Sequence, residues 1–135
     1  VSRSVPPTDL RKKGGDDRNL AIYFVFLPEA EAKRLQGTAV TRLLRTDAVR
    51  VLMYVWGGKH PRGSVLDSPY LESRGKTVVL RGAGTGKSRE QVDLTQDYAR
   101  AFGETAPSLV GLAVSADSDD TDSRIMARIS RLTLR

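Results

Sequence analysis

The chain has 135 residues, of which 39% are hydrophobic, and it carries a formal net charge of +6. This length supports one modest core, so we expect a single domain over residues 1–135. The absence of cysteine and the presence of only one histidine exclude disulfides, thiolate metal sites and histidine clusters. No run approaches the roughly 18 apolar residues of a membrane-spanning helix, so a membrane span is not expected.

The positive charge is spread along the chain rather than concentrated in one patch. Residues 1–89 carry a net charge of +9, whereas residues 90–135 carry −3. The only run of three basic residues is Arg11 to Lys13, and no recognition helix, stacking aromatic motif or zinc finger accompanies it. We therefore expect a solvated basic surface and no nucleic-acid partner.

The first third of the chain predicts a loop, a strand and a helical region. Residues 1–18 are polar and contain several prolines and glycines, which is typical of a loop. Asn19–Leu27 is an almost continuous apolar run, as in a strand covered on both faces. After Pro28, which suits the first turn of a helix, apolar residues recur at helical spacing as far as about Thr46, and this pattern predicts a helical region. Gly37 is unfavourable in a helix interior, so the region is either one helix or two short helices.

The remaining sequence predicts mostly strands. Three of them lie at Val49–Trp56, Lys76–Arg81 and Leu109–Ala116. Residues 90–102 predict a helix that Gly103 ends. The closing segment alternates between apolar and polar residues from Ile125 to Ile129, which predicts a last strand with a bulge near Ser130.

Arg81–Ser88, with the sequence RGAGTGKS, has the features of a phosphate-binding P-loop after an apolar strand. Lys87 would reach the terminal phosphates and Ser88 would hold magnesium, which supports an alternative hypothesis of a nucleotide-binding enzyme. However, arginine stands at position 81, where the pattern requires glycine, and only 47 residues follow Ser88. We therefore favour a glycine-rich hairpin loop between two antiparallel strands.

Several weak motifs occur together along the chain. They are GGDD before the first strand, YVWG, SPY, VVLR, DYARAFGE and the DSDDT loop before the closing segment. With these motifs in this order, nearly the whole chain resembles a bacterial family catalogued as domain of unknown function 3047 (DUF3047). The resemblance implies a mainly β protein of the periplasm or cell envelope. Its fold would be an antiparallel jelly-roll-like β-sandwich, similar to galactose-binding and carbohydrate-binding modules, with one or two short helices.

The resemblance also implies that the chain is truncated at its N-terminus. Members of the family usually carry an export signal and a tryptophan-rich strand upstream of the position of Val1. A strand that is apolar on both faces needs neighbours, and an uncovered sheet promotes association. We therefore expect residues 1–135 alone to be marginally stable and to self-associate.

The family supplies no established activity and therefore no catalytic residue, so candidate binding residues come from the sequence itself. Trp56 and Tyr70 lie near turns, where an aromatic face would stack on a sugar ring. Arg62, Asp67 and the acidic loop of residues 117–122 would give the polar contacts. For Trp56 the alternative is a place in the core. The leading hypothesis is a noncatalytic module that binds a glycan or an envelope polymer.

Two acidic clusters are candidate ligands for a hard cation, and a structural calcium ion is the one cofactor considered. Their members are Asp16, Asp17, Asp117, Asp119 and Asp120. Their spacing does not match the twelve-residue calcium loop, and capping of turns and strand ends is the alternative. Pairs of carboxylates would also serve a glycosidase, which is a further alternative.

Overall fold

The computed structural model describes residues 1–135 and contains five strands and three helices. The strands are β1 (Arg18–Leu27), β2 (Arg50–Trp56), β3 (Val65–Ser68), β4 (Glu72–Arg81) and β5 (Ser108–Asp117). The helices are α1 (Glu29–Arg34), α2 (Val40–Leu43) and α3 (Leu94–Phe102). The longest of them, α3, has nine residues, and none has the length and hydropathy needed to cross a membrane.

All five strands belong to one sheet, in the order β3-β4-β2-β1-β5. β1 pairs antiparallel with both β2 and β5, so that Phe24 lies opposite Leu52 on one side and Leu112 on the other. β2 and β4 run parallel, whereas β3 and β4 are antiparallel. The mainly β architecture with short helices is confirmed. The sheet is mixed rather than wholly antiparallel, and the jelly-roll-like sandwich is not confirmed.

One face of the sheet, here called the loop face, packs under the N-terminal loop and α2. Its buried side chains include Ala21, Val25, Val51, Val55 and Val79. They pack with Leu10 from the N-terminal loop and Leu43 from α2. The alternation of side chains along each strand directs every second residue of β1 and β2 to this face.

The opposite face, here called the helix face, packs against α3. Its buried side chains are Phe24, Phe26, Leu52, Tyr54 and Val78. The ring of Tyr98, on α3, contacts Phe26 edge to face at 4.8 Å between centroids. The helix begins where Asp93 accepts a hydrogen bond from the Gln96 N–H at 3.0 Å, and it ends at Gly103, whose φ is 73°.

The predicted strands β1, β2, β4 and β5 and helix α3 are confirmed, with ends that differ by a few residues. The helical region after Pro28 consists of two short helices, and Gly37, with a φ of 82°, lies between them. The short strand β3 was not predicted. The predicted closing strand is wrong: residues 124–135 contain only an isolated bridge between Met126 and Arg3. An alternating segment becomes a strand only where a neighbour continues the hydrogen bonding, and here that neighbour is limited to Ser2 and Arg3.

Candidate functional site

A cavity of about 390 Å³ opens over the loop face, at the end of the sheet where β1 begins and β5 ends. We call it the loop-face cleft. Its floor is formed by side chains of the central strands, including Tyr23, Met53, Val55 and Thr77. The floor is therefore largely apolar, while the two walls come from loops.

One wall is the turn between β3 and β4, and its outer residue is Tyr70. This tyrosine leaves 56% of its surface exposed, although its turn also contributes Pro69 and Leu71 to the cleft. The Lys13 Nζ lies 5.8 Å from the centroid of the Tyr70 ring. Tyr70 thus combines an accessible aromatic ring with an apolar floor beside it.

The opposite wall is acidic and combines two distant parts of the sequence. Asp16 and Asp17 come just before β1, and Asp117 ends β5. The pairing of β1 with β5 places Arg18 opposite Asp117 and brings the loop after β5 against the start of β1. The wall carboxylates that line the cleft are Asp16, Asp117, Asp119 and Asp120. Both predicted acidic clusters therefore form one group, which we call the acidic wall and which includes Asp17 behind the surface.

Asp17 is the buried centre of the acidic wall, with a relative exposure of 0%. Its Oδ2 accepts hydrogen bonds from Thr121, at 2.8 Å from the backbone N–H and at 2.6 Å from the hydroxyl. Its Oδ1 is buried and has no hydrogen-bond donor in the protein, and the same is true of Oδ1 of Asp16. Carboxylate oxygens of Asp17, Asp117 and Asp119 all lie within 4.8 Å of one another.

Arg18 is the basic residue of this wall, and its guanidinium is almost surrounded by acceptors. Nη1 lies 3.3 Å from Oδ2 of Asp16 and 3.9 Å from Oδ2 of Asp117. Nη2 donates to the hydroxyls of Tyr23 and, at 3.1 Å, Ser115. Arg18 therefore holds β1, β5 and the turn before β1 together at the edge of the cleft.

The remaining carboxylates of the wall lie close enough to disturb one another. A hydrogen bond to Asp117, followed by the negative charges of Asp117 and Asp120, raises the pKa of Asp119 above its ordinary value. Desolvation, and then the charges of Asp17 and Asp16, raise the pKa of Asp120. Both shifts favour the protonated carboxyl: at Asp119 because of its negatively charged neighbours, and at Asp120 because of desolvation first and negative charge second.

Trp56 and Arg62 lie in a second cavity, of about 460 Å³, which Arg81 and Gly84 also line. The Arg81 guanidinium lies 5.1 Å from the centroid of the Trp56 ring, and Trp56 Nε1 donates to the Gly84 carbonyl at 3.1 Å. Arg62 donates to both carboxylate oxygens of Glu90, at 3.0 and 2.7 Å. This pairing is the main reason that the pKa of Glu90 is lowered.

The predicted sugar-binding residues are therefore not brought together. Trp56 and Arg62 line one cavity and Tyr70 lines the other. Asp67, on β3, forms an ion pair with Lys76 on β4 and lines neither of these two cavities. Among the predicted residues, Tyr70 and the acidic wall are the ones that share a cleft.

The glycine-rich segment Arg81–Ser88 does not form the predicted hairpin. β4 precedes it and β5 follows it, but β2 and β1 lie between these strands in the sheet, so the chain crosses the sheet by way of α3. The next helix begins at Leu94 rather than directly after Ser88. The segment thus lacks the helix that continues a P-loop.

The N–H groups of this segment are also used within the protein. The Gly84 N–H donates to the Ser4 hydroxyl at 2.7 Å, and the Gly86 N–H donates to the Val1 carbonyl at 2.8 Å. A phosphate-binding loop needs such N–H groups free for its ligand. In this structure their hydrogen bonds hold Val1 and Ser4 against the segment that follows β4.

Sequence reasoning missed Arg18 and the floor residues of the loop-face cleft. Arg18 directly follows the GGDD motif, and a basic residue after two acidic ones at the start of a strand is the signal that was available. Tyr23 and Met53 carried no such signal, because each lies within an apolar run that also fits a core strand.

A protein-family model described as "Protein of unknown function (DUF3047)" matches residues 1–133. No curated protein and no solved structure shows significant similarity to the chain.

Proposed function

The chain belongs to the DUF3047 family, and we propose that it is a noncatalytic module that binds a glycan or another polymer of the cell envelope in the loop-face cleft. One observation carries this proposal. The exposed ring of Tyr70 lines the same cleft as the acidic wall and Arg18, above an apolar floor.

The chemistry of a sugar matches these three surfaces. The apolar face of a pyranose ring packs on an aromatic ring, as Tyr70 offers. Its hydroxyl groups would donate to carboxylates that line the cleft, such as that of Asp120. The volume of the cleft, about 390 Å³, falls in the range of roughly 300–1,000 Å³ that small-ligand sites occupy.

The proposal is tested by cosedimentation with purified peptidoglycan sacculi. We expect Tyr70→Ala to reduce the bound fraction at least tenfold, because the stacking surface is lost. Tyr70→Phe should retain binding, since it keeps the ring and removes only the hydroxyl. Arg62→Ala, in the second cavity, is the matched control and should bind as the wild type does.

Two results would contradict the proposal. One is wild-type protein that binds neither sacculi nor soluble envelope polysaccharides. The other is binding that persists in Tyr70→Ala and disappears in Arg62→Ala, which would place the ligand beside Trp56. Circular dichroism spectra of all variants check that the fold is retained.

The glycosidase alternative uses the same acidic wall. Asp119, whose pKa is raised, would act as the general acid with Asp117 as its partner, but their oxygens lie within 4.8 Å, closer than the roughly 5–9.5 Å of glycosidase pairs. Release of reducing ends from sacculi by the wild type, lost in Asp119→Asn, would favour the glycosidase over the noncatalytic module.

The finer fold and the location belong to the same proposal. We propose that the sheet is one layer of a jelly-roll-like sandwich in a periplasmic or envelope protein. The exposure of the apolar residues Leu112 and Val114, on β5, supports a second layer. An experimental structure that leaves these side chains in solvent, or fractionation that places the protein in the cytoplasm, would contradict it.

A further inference from the structure

The acidic wall contains more carboxylates than the sugar-binding proposal requires. We propose that Asp17, Asp117 and Asp119 form a binding site for one calcium ion. The site joins the residue before β1 to the end of β5 and to the loop that follows. This inference does not depend on the identity of the ligand in the cleft.

The three carboxylates have the separation that a shared cation requires. Their oxygens lie within 4.8 Å of one another. Calcium binds oxygen at about 2.3–2.6 Å, so two ligands on opposite sides of the ion are about 5 Å apart. The three oxygens are therefore close enough for their side chains to share one ion after small adjustments.

The unpaired oxygen of Asp17 is the independent observation that points to a ligand. Asp17 is fully buried, and its Oδ1 has no donor. A buried carboxylate oxygen without a partner is costly, and native proteins almost always satisfy such an atom. Thr121 occupies the other oxygen through two hydrogen bonds and so fixes the carboxylate plane. A cation beside Oδ1 supplies the missing partner.

The charges of the wall lead to the same conclusion. The five carboxylates of the acidic wall are accompanied by the guanidinium of Arg18, which pairs with Asp16 and Asp117. Asp17 and Asp119 make no ion pair of their own. Negative charge therefore exceeds positive charge in the acidic wall, and its carboxylates repel one another. A divalent cation would offset this repulsion.

The donor set favours calcium over other metals. All three ligands are carboxylates, and hard oxygen ligands select calcium or magnesium rather than zinc or copper. Asp117 and Asp119 are accessible from the cleft, so water can complete the six to eight ligands that calcium takes. Magnesium demands a near-ideal octahedron, which one buried carboxylate, one at the end of β5 and one from the loop that follows do not impose. We expect a dissociation constant of about 10⁻⁴–10⁻³ M, the range of the weak calcium sites of extracellular modules.

The site is tested by titrating the full chain, after treatment with EDTA, with calcium chloride in an isothermal calorimeter. We expect saturable binding of one calcium ion and weaker binding of magnesium. Asp17→Asn and Asp119→Asn should each weaken calcium binding at least tenfold. Asp122→Asn removes the same charge from the same loop outside the cluster and should bind as the wild type does.

Thermal unfolding supplies a second measurement. Calcium that binds only the folded chain should raise the melting temperature of the wild type and Asp122→Asn, but not that of Asp119→Asn. Because Asp119 is exposed, its variant keeps the proposal testable even if Asp17→Asn fails to fold. No saturable calcium binding at millimolar concentrations, or equal binding by Asp119→Asn, would overturn the proposal. Tighter binding of magnesium would overturn the choice of calcium.

Discussion

The hydroxyl of Tyr54, on β2, donates a hydrogen bond of 2.6 Å to Oδ2 of Asp97, on α3. It joins α3 to the helix face, where the surrounding contacts are apolar. Burial, followed by the hydrogen bond to Asp97, raises the pKa of Tyr54 well above its usual range. The phenol therefore stays protonated, and its O–H group donates a hydrogen bond to the carboxylate.

Tyr54→Phe should lower the free energy of unfolding by about 1–3 kcal/mol, since it removes a hydrogen bond to a charged group and leaves Asp97 without its donor. Urea denaturation measures the change. Asp97→Asn is the control, because its amide oxygen can still accept the bond, and it should cost less. Equal stability of Tyr54→Phe and the wild type would show that the bond does not hold α3.

Tyr98→Phe should have the opposite effect. Tyr98 is fully buried between Phe26 and Phe102, and its hydroxyl has no hydrogen-bond partner. Removing an unsatisfied buried hydroxyl while keeping the ring should raise the free energy of unfolding by about 1 kcal/mol. The same urea titration checks it, and a clear loss of stability would mean that the hydroxyl has a partner in solution.

Stability should also fall at alkaline pH because of Tyr98. Burial, and then the charge of Glu104, raises the pKa of Tyr98 from 10.0 to about 12. Since the folded chain holds this proton more tightly than the unfolded chain, the contribution is complete below pH 10 and is lost between about pH 10 and pH 12. Melting temperatures over this window should fall more steeply for the wild type than for Tyr98→Phe. Parallel curves would contradict the assignment.

Ser4→Ala should loosen both the N-terminal loop and the glycine-rich segment. The Ser4 hydroxyl accepts hydrogen bonds from Nδ2 of Asn19 at 2.8 Å and from the Gly84 N–H at 2.7 Å. Because Asn19 is fully buried, the loss of its acceptor should cost about 1–3 kcal/mol. Hydrogen exchange should quicken at Gly84. Ser2→Ala, at an exposed hydroxyl, is the control and should change neither measurement.

Lys87→Ala tests the nucleotide-binding alternative. Because the N–H groups of Gly84 and Gly86 donate to other parts of the protein, we expect no saturable binding of fluorescent ATP with magnesium by the wild type or by the variant. Fluorescence anisotropy measures the binding. Tight binding by the wild type that is lost in Lys87→Ala would require the segment to rearrange around a phosphate.

The sequence predicts the elements whose signals are local. The apolar runs of β1 and β2, and the capped α3 that Gly103 ends, need no knowledge of distant residues. β3 was not predicted, because it has only four residues and lies in a turn-rich stretch of the sequence. The parallel pairing of β2 with β4 was not predicted either, since no local sequence pattern shows which strands are neighbours.

The site could be predicted only in pieces, for the same reason. Both acidic clusters are visible in the sequence, but the contact between Asp17 and Thr121 depends on the pairing of β1 with β5. Trp56 and Tyr70 lie near turns that are close in sequence, yet the sheet assigns them to different cavities. Aromatic residues near turns thus identify candidates without showing which of them act together.

The pairing of β1 with β5 also has a consequence for how the protein folds. Arg18 and its partner Ser115 are 97 residues apart, so this side of the sheet requires the closure of a segment that contains three other strands and all three helices. During synthesis β2 follows β1 after two short helices and can pair with it early, whereas β5 is made only after α3. One edge of β1 therefore remains unpaired until β5 has been made. Contacts of such long range slow folding, and we expect the acidic wall to be among the last parts of the molecule to assemble.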